Sequence, residues 1–179
     1  MRKVLFMKGS ELRLIEYMEG SKKRFIIPVY QRNYDWKIEN CKQLYDDLIQ
    51  VIKNNSKTHF FGSIVSVYEP SGRNTEFLII DGQQRLTTMS LLFLAMYNLL
   101  EEKIIISEDE SLKDQIYEDF LVDKYQPQEK RMKLKPIKND QKAFSKLFNS
   151  KDDYIKDSNL TINYSYFYER IQKQEITID

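Results

Sequence analysis

The chain has 179 residues, of which 41% are hydrophobic and 31% are charged, with a formal net charge of +1. These values are typical of one globular domain with its own core, and the low Gly and Pro content excludes collagen-like or largely disordered chains. The small net charge gives no overall signature of polyanion binding. The single cysteine, Cys41, excludes an intramolecular disulfide, and no stretch resembles a signal peptide or reaches transmembrane length, so we expect a cytoplasmic protein.

The first half of the chain predicts a small sheet with helices around it. Short runs of β-branched and apolar residues indicate strands, and apolar residues three and four positions apart indicate helices. The run 77–80 is apolar on both faces, which indicates a central strand, paired with the preceding strand as a hairpin with a long loop. The predicted elements are a helix over about 10–19 capped by Ser10, a strand over 24–29, a loop over 31–37, a helix over about 39–53, a strand over 60–68, a turn over 70–74 and a strand over 77–80.

The second half predicts mostly helices. Residues 86–100 are apolar nearly all round, which is typical of a buried central helix. These elements predict an α+β fold in which the whole chain, 1–179, forms a single domain. The remaining predicted elements are a helix over 111–120, an exposed or edge strand over 131–137, a helix capped by Asn139 or Asp140 and a last helix over about 158–174.

The charges are unevenly distributed in this second half. Residues 101–123 hold nine acids and two bases, whereas residues 124–151 hold nine bases and two acids. One interpretation is two solvated surfaces that attract each other across the fold. The alternative is that the basic segment faces a DNA backbone through Lys133, Lys135 and Lys138.

The turn Asp81-Gly82-Gln83-Gln84-Arg85 lies between the predicted central strand and the predicted buried helix. The first N–H groups of a helix are unpaired and its dipole is positive there, so this position suits a phosphate. Gly82 permits a tight turn, Arg85 offers a planar fork to phosphate or carboxylate, and Thr87 and Thr88 add hydroxyls. A structural alternative is a capping box, with Asp81 as the N-cap and Gln84 three residues later.

A carboxylate at a phosphate site needs an explanation, because Asp81 and a phosphate repel each other. Asp81 could share a bridging divalent metal with the phosphate, activate a water as nucleophile, or act as a structural cap that points away. The sequence does not choose among these three roles.

A second polar cluster follows the predicted strand over 24–29. Gln31 and Arg32 come directly after the strand end, where loop residues often form sites. Arg32 is interpreted as a phosphate contact, with an ordinary salt bridge as the alternative. Tyr34 and Trp36 either stack on a base or anchor the loop.

Other chemically notable residues favour structural roles. Cys41 lies on the apolar face of a predicted helix and is interpreted as a small core residue. His59 is the only histidine, which excludes a site with several histidine ligands and favours a hydrogen-bonded structural role over a general base. The chain has no Walker A sequence, so it is not a P-loop ATPase.

Three strings together resemble the amino-terminal domain of GmrSD-type modification-dependent restriction endonucleases. They are Pro28-x-Tyr30-Gln31-Arg32-x-Tyr34-x-Trp36, His59-Phe60-Phe61-Gly62-Ser63-Ile64-Val65 and Ile79-Ile80-Asp81-Gly82-Gln83-Gln84-Arg85-Leu86-Thr87-Thr88. Weaker similarity includes Leu134, Asp140, Phe144, Asn163, Tyr164, Tyr166 and Phe167.

The resemblance implies a core related to the ParB and sulfiredoxin fold, in which nucleotide phosphates are bound. It also implies binding and hydrolysis of a nucleoside triphosphate, in control of the cleavage of modified DNA during phage defence. In the leading hypothesis Asp81 holds Mg²⁺, as a cofactor, or a water. The catalytic residues would be Asp81, Gln83 and Arg85. The nucleotide contacts would be Gln31, Arg32, Gly82, Gln84, Arg85 and Thr87.

Members of this family usually continue into an HNH-type nuclease domain, which needs several His and Asn residues. This chain has one histidine, so we expect the amino-terminal part of a longer system, with the nuclease domain in cis or in trans and no DNA cleavage by this chain alone. The leading hypothesis is a nucleotide-binding and nucleotide-hydrolysing regulatory domain, with an oligomer possible. The alternatives are a non-enzymatic module that senses modified DNA and an interaction scaffold with a vestigial site.

Overall fold

The computed structural model of the protein describes residues 12–56, 59–71 and 74–173, and the fold in these ranges is α+β, as predicted. A π-helical turn, Tyr117–Leu121, continues α4, and two short 3₁₀ turns lie at Gln128–Lys130 and Lys151–Asp153. The regular elements are α1 (Leu14–Met18), β1 (Lys23–Ile26), α2 (Ile38–Lys53), β2 (Val65–Ser71), β3 (Asn74–Asp81), α3 (Gln83–Glu101), α4 (Leu112–Ile116), β4 (Leu134–Lys135), α5 (Lys138–Lys146) and α6 (Asn159–Gln172).

The four strands form one mixed sheet in the order β2-β3-β1-β4. β1 runs parallel to both β3 and β4, whereas β2 and β3 are antiparallel. β3 is therefore a central strand, as its doubly apolar sequence predicted, and its Ile79 is fully buried. β4 lies at the edge of the sheet, as predicted, but it comprises only Leu134–Lys135 of the predicted strand over 131–137.

The long helix α3 fills the centre of the molecule. Its buried face runs from its first turn to Leu99, which confirms a central buried helix. α3 packs along α6 and against the π-helical turn, where Phe93 stacks on Phe120 with ring centroids 4.3 Å apart. Because β3 leads directly into α3, the end of the central strand and the start of the central helix meet at one point.

Several predicted boundaries are corrected. The second strand begins at Val65, and the hairpin pairs through Ser71↔Asn74, so its connection is short and not the long loop that we expected. The N-cap of α5 is Ile137, so neither Asn139 nor Asp140 caps that helix. The last helix begins where predicted, because Ser158 is its N-cap and accepts a hydrogen bond from the Leu160 N–H.

Some predicted features lie outside the described residues. These are the cap at Ser10, the tip of the turn at Gly72 and Arg73, and the last predicted helical residue, Gln174.

Candidate functional site

The turn between β3 and α3 is formed by a glycine in a left-handed conformation. Asp81 is the last residue of β3, and Gly82 is the N-cap of α3 with φ 88°. A Cβ at Gly82 would lie 2.9 Å from Ile64 Cγ1 and 3.0 Å from the Ser63 carbonyl oxygen, so glycine is required here. The helix begins at Gln83, and no side chain caps it, so the predicted capping box of Asp81 and Gln84 is wrong.

Gln84 holds the loop that contains the first cluster of site residues. Its Oε1 accepts hydrogen bonds from the N–H groups of Asp35 (2.8 Å) and Trp36 (3.2 Å). Its Nε2 donates to the Asn33 carbonyl at 2.9 Å. Both ends of this buried amide are therefore occupied by loop backbone, and in this conformation Gln84 supports the site rather than lining it with a free polar group.

Gln83 holds the same loop with only one end of its amide. Its Nε2 donates to the Arg32 carbonyl at 3.2 Å. Its Oε1 is buried and has no hydrogen-bond partner among the described residues. The two neighbouring glutamines therefore differ, because only Gln83 retains an unpaired acceptor.

Gln31 and Arg32 lie in the loop that follows β1 and approach the same turn. The Gln31 Nε2 donates to the Ile80 carbonyl at 2.9 Å, which ties the loop to the last residues of β3. The Arg32 side chain is exposed, and its guanidinium makes no hydrogen bond or ion pair with the described residues. The predicted salt-bridge alternative for Arg32 is therefore not seen within the described ranges.

Arg85 is held in place by its neighbours. Its Nη2 donates to the Ser63 carbonyl and lies 3.4 Å from Asp81 Oδ2. Its guanidinium packs over Gly62, where an added Cβ would lie 3.1 Å from Arg85 Nε. Asp81 thus pairs with Arg85 across the first turn of α3, a role that was not among the three considered from the sequence.

These side chains surround one open cleft of about 150 Å³. Two guanidinium groups face one carboxylate, that of Asp81, whose side chain is 65% exposed. Thr87 does not line the cleft; it is buried behind it, against a much smaller cavity. The lining residues are Gln31, Arg32, Trp36, Asp81, Gly82, Gln83, Gln84 and Arg85.

The aromatic residues of the loop have separate environments. Tyr34 is buried, and its hydroxyl bonds to Thr88 Oγ1 at 2.7 Å and accepts from Asn163 Nδ2 at 2.9 Å. Burial raises the pKa of Tyr34 far above its usual range. Tyr34 therefore anchors the loop and does not stack on a base, whereas the half-buried Trp36 both packs on the core and lines the cleft.

Three contributions to the geometry of the cleft were not assigned a site role from the sequence. Gly62 and the Ser63 carbonyl form the floor on which Arg85 lies. Asp140, from the first turn of α5, accepts a hydrogen bond from the Tyr34 N–H at 2.6 Å, and burial raises the pKa of its carboxyl. Gly62 belongs to the Phe-Phe-Gly-Ser string, which was the only available signal for it.

The sequence matches the family described as GmrSD restriction endonuclease, N-terminal domain, over residues 14–178. The chain belongs to this family. A comparison with curated proteins gives no match. Membership fits a role in phage defence as part of a restriction endonuclease.

Cys41 and His59 lie outside the cleft of this GmrSD domain. Cys41 is fully buried, as predicted for a core residue. His59 is exposed, with its Nε2 3.9 Å from Asp47 Oδ2.

The predicted DNA contacts of the GmrSD domain divide into two groups. Lys133 is buried, and its ammonium donates to the carbonyls of Gly20 (2.7 Å) and Asp119 (2.6 Å). Burial lowers the pKa of Lys133 to about 8. This corrects the assignment of Lys133 as a DNA contact, because its charge is enclosed by the fold. Lys135 and Lys138 are exposed, and their contact with DNA stays a prediction.

The described residues of the GmrSD domain contain neither a cluster of metal-ligating side chains nor a membrane-spanning helix. Across residues 12–56, 59–71 and 74–173, no group of three or more His, Cys, Asp or Glu side chains is placed to hold a metal ion. Within the same ranges, no helix has the length and apolar character needed to cross a membrane.

Proposed function

We propose that the cleft binds the phosphates of a nucleoside triphosphate and hydrolyses it, as the regulatory domain of a cytoplasmic GmrSD-type defence endonuclease. The observation that supports this most directly is the guanidinium of Arg32, which has no bond to the described residues and lies beside the N-terminus of α3, together with Arg85 in the first turn of that helix. Unpaired helix N–H groups and guanidinium forks both favour phosphate oxygens. The nuclease domain that this regulation would serve acts in cis or in trans.

The size of the cleft supports phosphate recognition in particular. Pockets that enclose a whole drug-sized ligand have about 300–1,000 Å³. The cleft has about 150 Å³, so a phosphate chain fits inside it while most of the base lies outside. The contacts made by the cleft would then depend on phosphate charge more than on base identity.

Each cleft residue then has a role in hydrolysis. A water attacks the terminal phosphorus, the bond from that phosphorus to its bridging oxygen breaks, and the products are a nucleoside diphosphate and inorganic phosphate. Arg32 and Arg85 neutralise the charge on the phosphate oxygens, and Gln83 holds the backbone of Arg32 at the cleft through its Nε2. Positioning and charge neutralisation provide most of the catalysis in such reactions.

Asp81 fits a magnesium ion bound together with phosphates. Mg²⁺ commonly takes only one or two protein carboxylates, with waters and substrate phosphates completing its shell. The exposed carboxylate of Asp81 at the cleft edge meets that requirement. Such an ion neutralises phosphate charge when bound, which removes the repulsion between Asp81 and the substrate.

A thermal-shift panel tests the binding. Because a ligand that binds only the folded state raises the melting temperature, ATP, GTP, CTP and UTP with Mg²⁺ should stabilise the wild-type protein. Arg32→Ala should weaken the affinity about 10- to 100-fold, since a hydrogen bond to a charged group contributes roughly 1.5–3 kcal/mol. Arg131→Ala, which removes an exposed arginine outside the cleft, should leave the affinity unchanged.

Calorimetry and phosphate release then distinguish binding from turnover. The proposal requires saturable binding of at least one triphosphate and release of inorganic phosphate by the wild-type protein. Equal affinity in the wild-type protein, Arg32→Ala and Arg131→Ala would contradict the placement of the site in this cleft.

A further inference from the structure

A second, smaller cavity, partly open to solvent, lies behind the cleft, between α3, the loop over 31–37 and the start of α5. Its volume is about 10 Å³, which is the room that one water molecule needs. Its wall includes side chains from all three segments, among them Arg32, Gln83, Thr87 and Asp140. Polar side chains therefore meet at this cavity, beside the apolar residues Ile27 and Pro136.

The strongest sign of a bound molecule is the amide of Gln83. This side chain is 7% exposed, and its Oε1 has no hydrogen-bond partner among the described residues. A buried acceptor without a partner costs about 1–3 kcal/mol, so native proteins satisfy nearly all such atoms with protein groups or ordered water. The cavity beside Gln83 offers the space for that water.

Asp140 offers the second partner. Its Oδ2 accepts from the Tyr34 N–H, and its other carboxylate oxygen makes no hydrogen bond with the described residues. Thr87 lines the same cavity, and its hydroxyl also has no partner within the described ranges. A buried water commonly makes two to four hydrogen bonds, and these three groups meet that requirement.

We propose that a buried water in this cavity donates hydrogen bonds to Gln83 Oε1 and to the Asp140 carboxylate, and that Asp140 is a positioning residue for the cleft. The water fixes the orientation of the Gln83 amide, whose Nε2 holds the Arg32 carbonyl. Asp140 thus supports the loop at Tyr34 directly and at Arg32 through the water and Gln83. The positioning role rests on the proposed nucleotide function, whereas the water itself does not.

A double-mutant cycle without nucleotide tests the water. Gln83→Met and Asp140→Ala each remove one partner, and urea unfolding measures the single and double variants. Each single substitution already breaks the bridge, so the second one has less left to remove. The unfolding equilibrium constant of the double variant should therefore increase about tenfold less than the product of the two single increases.

The neighbouring glutamine provides the matched control. Gln84 also holds the loop, but both ends of its amide bond directly to backbone. Gln84→Met combined with Asp140→Ala should therefore show clearly weaker coupling. Equal coupling in the two pairs would mean that the loop alone transmits the effect and would overturn the bridge. A crystal structure that shows no water density between Gln83 and Asp140 would overturn it as well.

Nucleotide measurements test the positioning role. Asp140→Ala should raise KM about tenfold, which corresponds to the loss of one hydrogen bond. Asp140→Asn keeps polar groups toward both the Tyr34 N–H and the water, and it should restore KM. Unchanged KM in Asp140→Ala, or no recovery in Asp140→Asn, would overturn the role of Asp140. A wild-type protein that binds no nucleotide would refute the proposed function instead, and the unfolding cycle would still decide the water bridge.

Discussion

Arg32 and Arg85 bring the same charge to the cleft, but the fold holds them differently. Arg85 lies against Ser63, Asp81 and Gly62, with its side chain 26% exposed. The Arg32 side chain has no hydrogen bond or ion pair with the described part of the chain. A guanidinium that the fold already holds in place loses little conformational entropy when a ligand binds. A guanidinium without protein contacts, in contrast, gives up no existing interaction when it binds the ligand. If the cleft binds phosphates as proposed, Arg85 is therefore a preformed part of the site, and Arg32 becomes fixed only when the ligand binds.

Gly62→Ala tests the floor beneath Arg85. Gly62 has φ +93°, and an added Cβ would lie 3.1–3.3 Å from the Arg85 side chain. We expect a loss of about 1–2 kcal/mol in unfolding free energy from the left-handed backbone alone. The displaced guanidinium should also weaken triphosphate binding, measured by calorimetry.

Gly20→Ala is the matched control for this substitution. Gly20 has φ +99°, but an added Cβ there meets nothing within 4 Å. Both variants should lose similar stability, and only Gly62→Ala should lose affinity. A loss of affinity in Gly20→Ala would show that general destabilisation, and not the contact with Arg85, is responsible.

The loop over 31–37 gains its shape from elements distant in the sequence. α3 holds it through Gln83 and Gln84, α5 through Asp140, and α6 through Asn163. The site therefore depends on the helical second half, although the lining residues all come from the first half.

Asn163→Leu tests the contribution of α6. Asn163 is fully buried, and its Nδ2 donates to the Tyr34 hydroxyl (2.9 Å) and to the Trp36 carbonyl (2.8 Å). Leaving these acceptors unpaired should cost about 2–4 kcal/mol in unfolding free energy, measured in urea. Amide hydrogen exchange at Trp36 should accelerate, because its N–H bonds to Gln84 only while the loop is held.

Asn159→Ala serves as the comparison within α6. Asn159 contacts the Tyr34 carbonyl at 3.4 Å from a more exposed position, so its loss should be much smaller. Equal effects of the two substitutions on exchange would refute a specific role of Asn163.

The central elements were predictable because their signals are local. β3 contains a short run that is apolar on both faces, α3 contains a long apolar run, and the Asp81–Arg85 turn between them follows from sequence order. The start of α3 was misplaced because Gly82 adopts a left-handed N-cap conformation that permits close approach to Ile64, a tertiary contact with no local pattern.

Details of the site depended on contacts across the whole chain. A lysine in a basic segment reads as a surface charge, yet the carbonyls of Gly20 and Asp119 enclose Lys133. In the same way, two adjacent glutamines look equivalent in the sequence. The position of the loop shows that Gln84 bonds to backbone at both ends of its amide, whereas Gln83 Oε1 has no partner among the described residues.

The stability of the whole molecule should pass through a maximum near pH 9. Burial lowers the pKa of Lys133 from 10.5 to about 8, so above pH 8 the unfolded chain holds a proton that the folded chain has released, and stability rises with pH. Burial raises the pKa of Cys41 from 9.0 to about 11 and also raises that of Tyr34. In these two groups the unfolded chain releases its proton first, so above about pH 9 stability falls.

Urea midpoints across this pH range test the role of Lys133. Stability should rise with pH in the wild-type protein and in the control Lys135→Met, whose replaced side chain is exposed, but not in Lys133→Met. A rise that persists in Lys133→Met would mean that another group causes it.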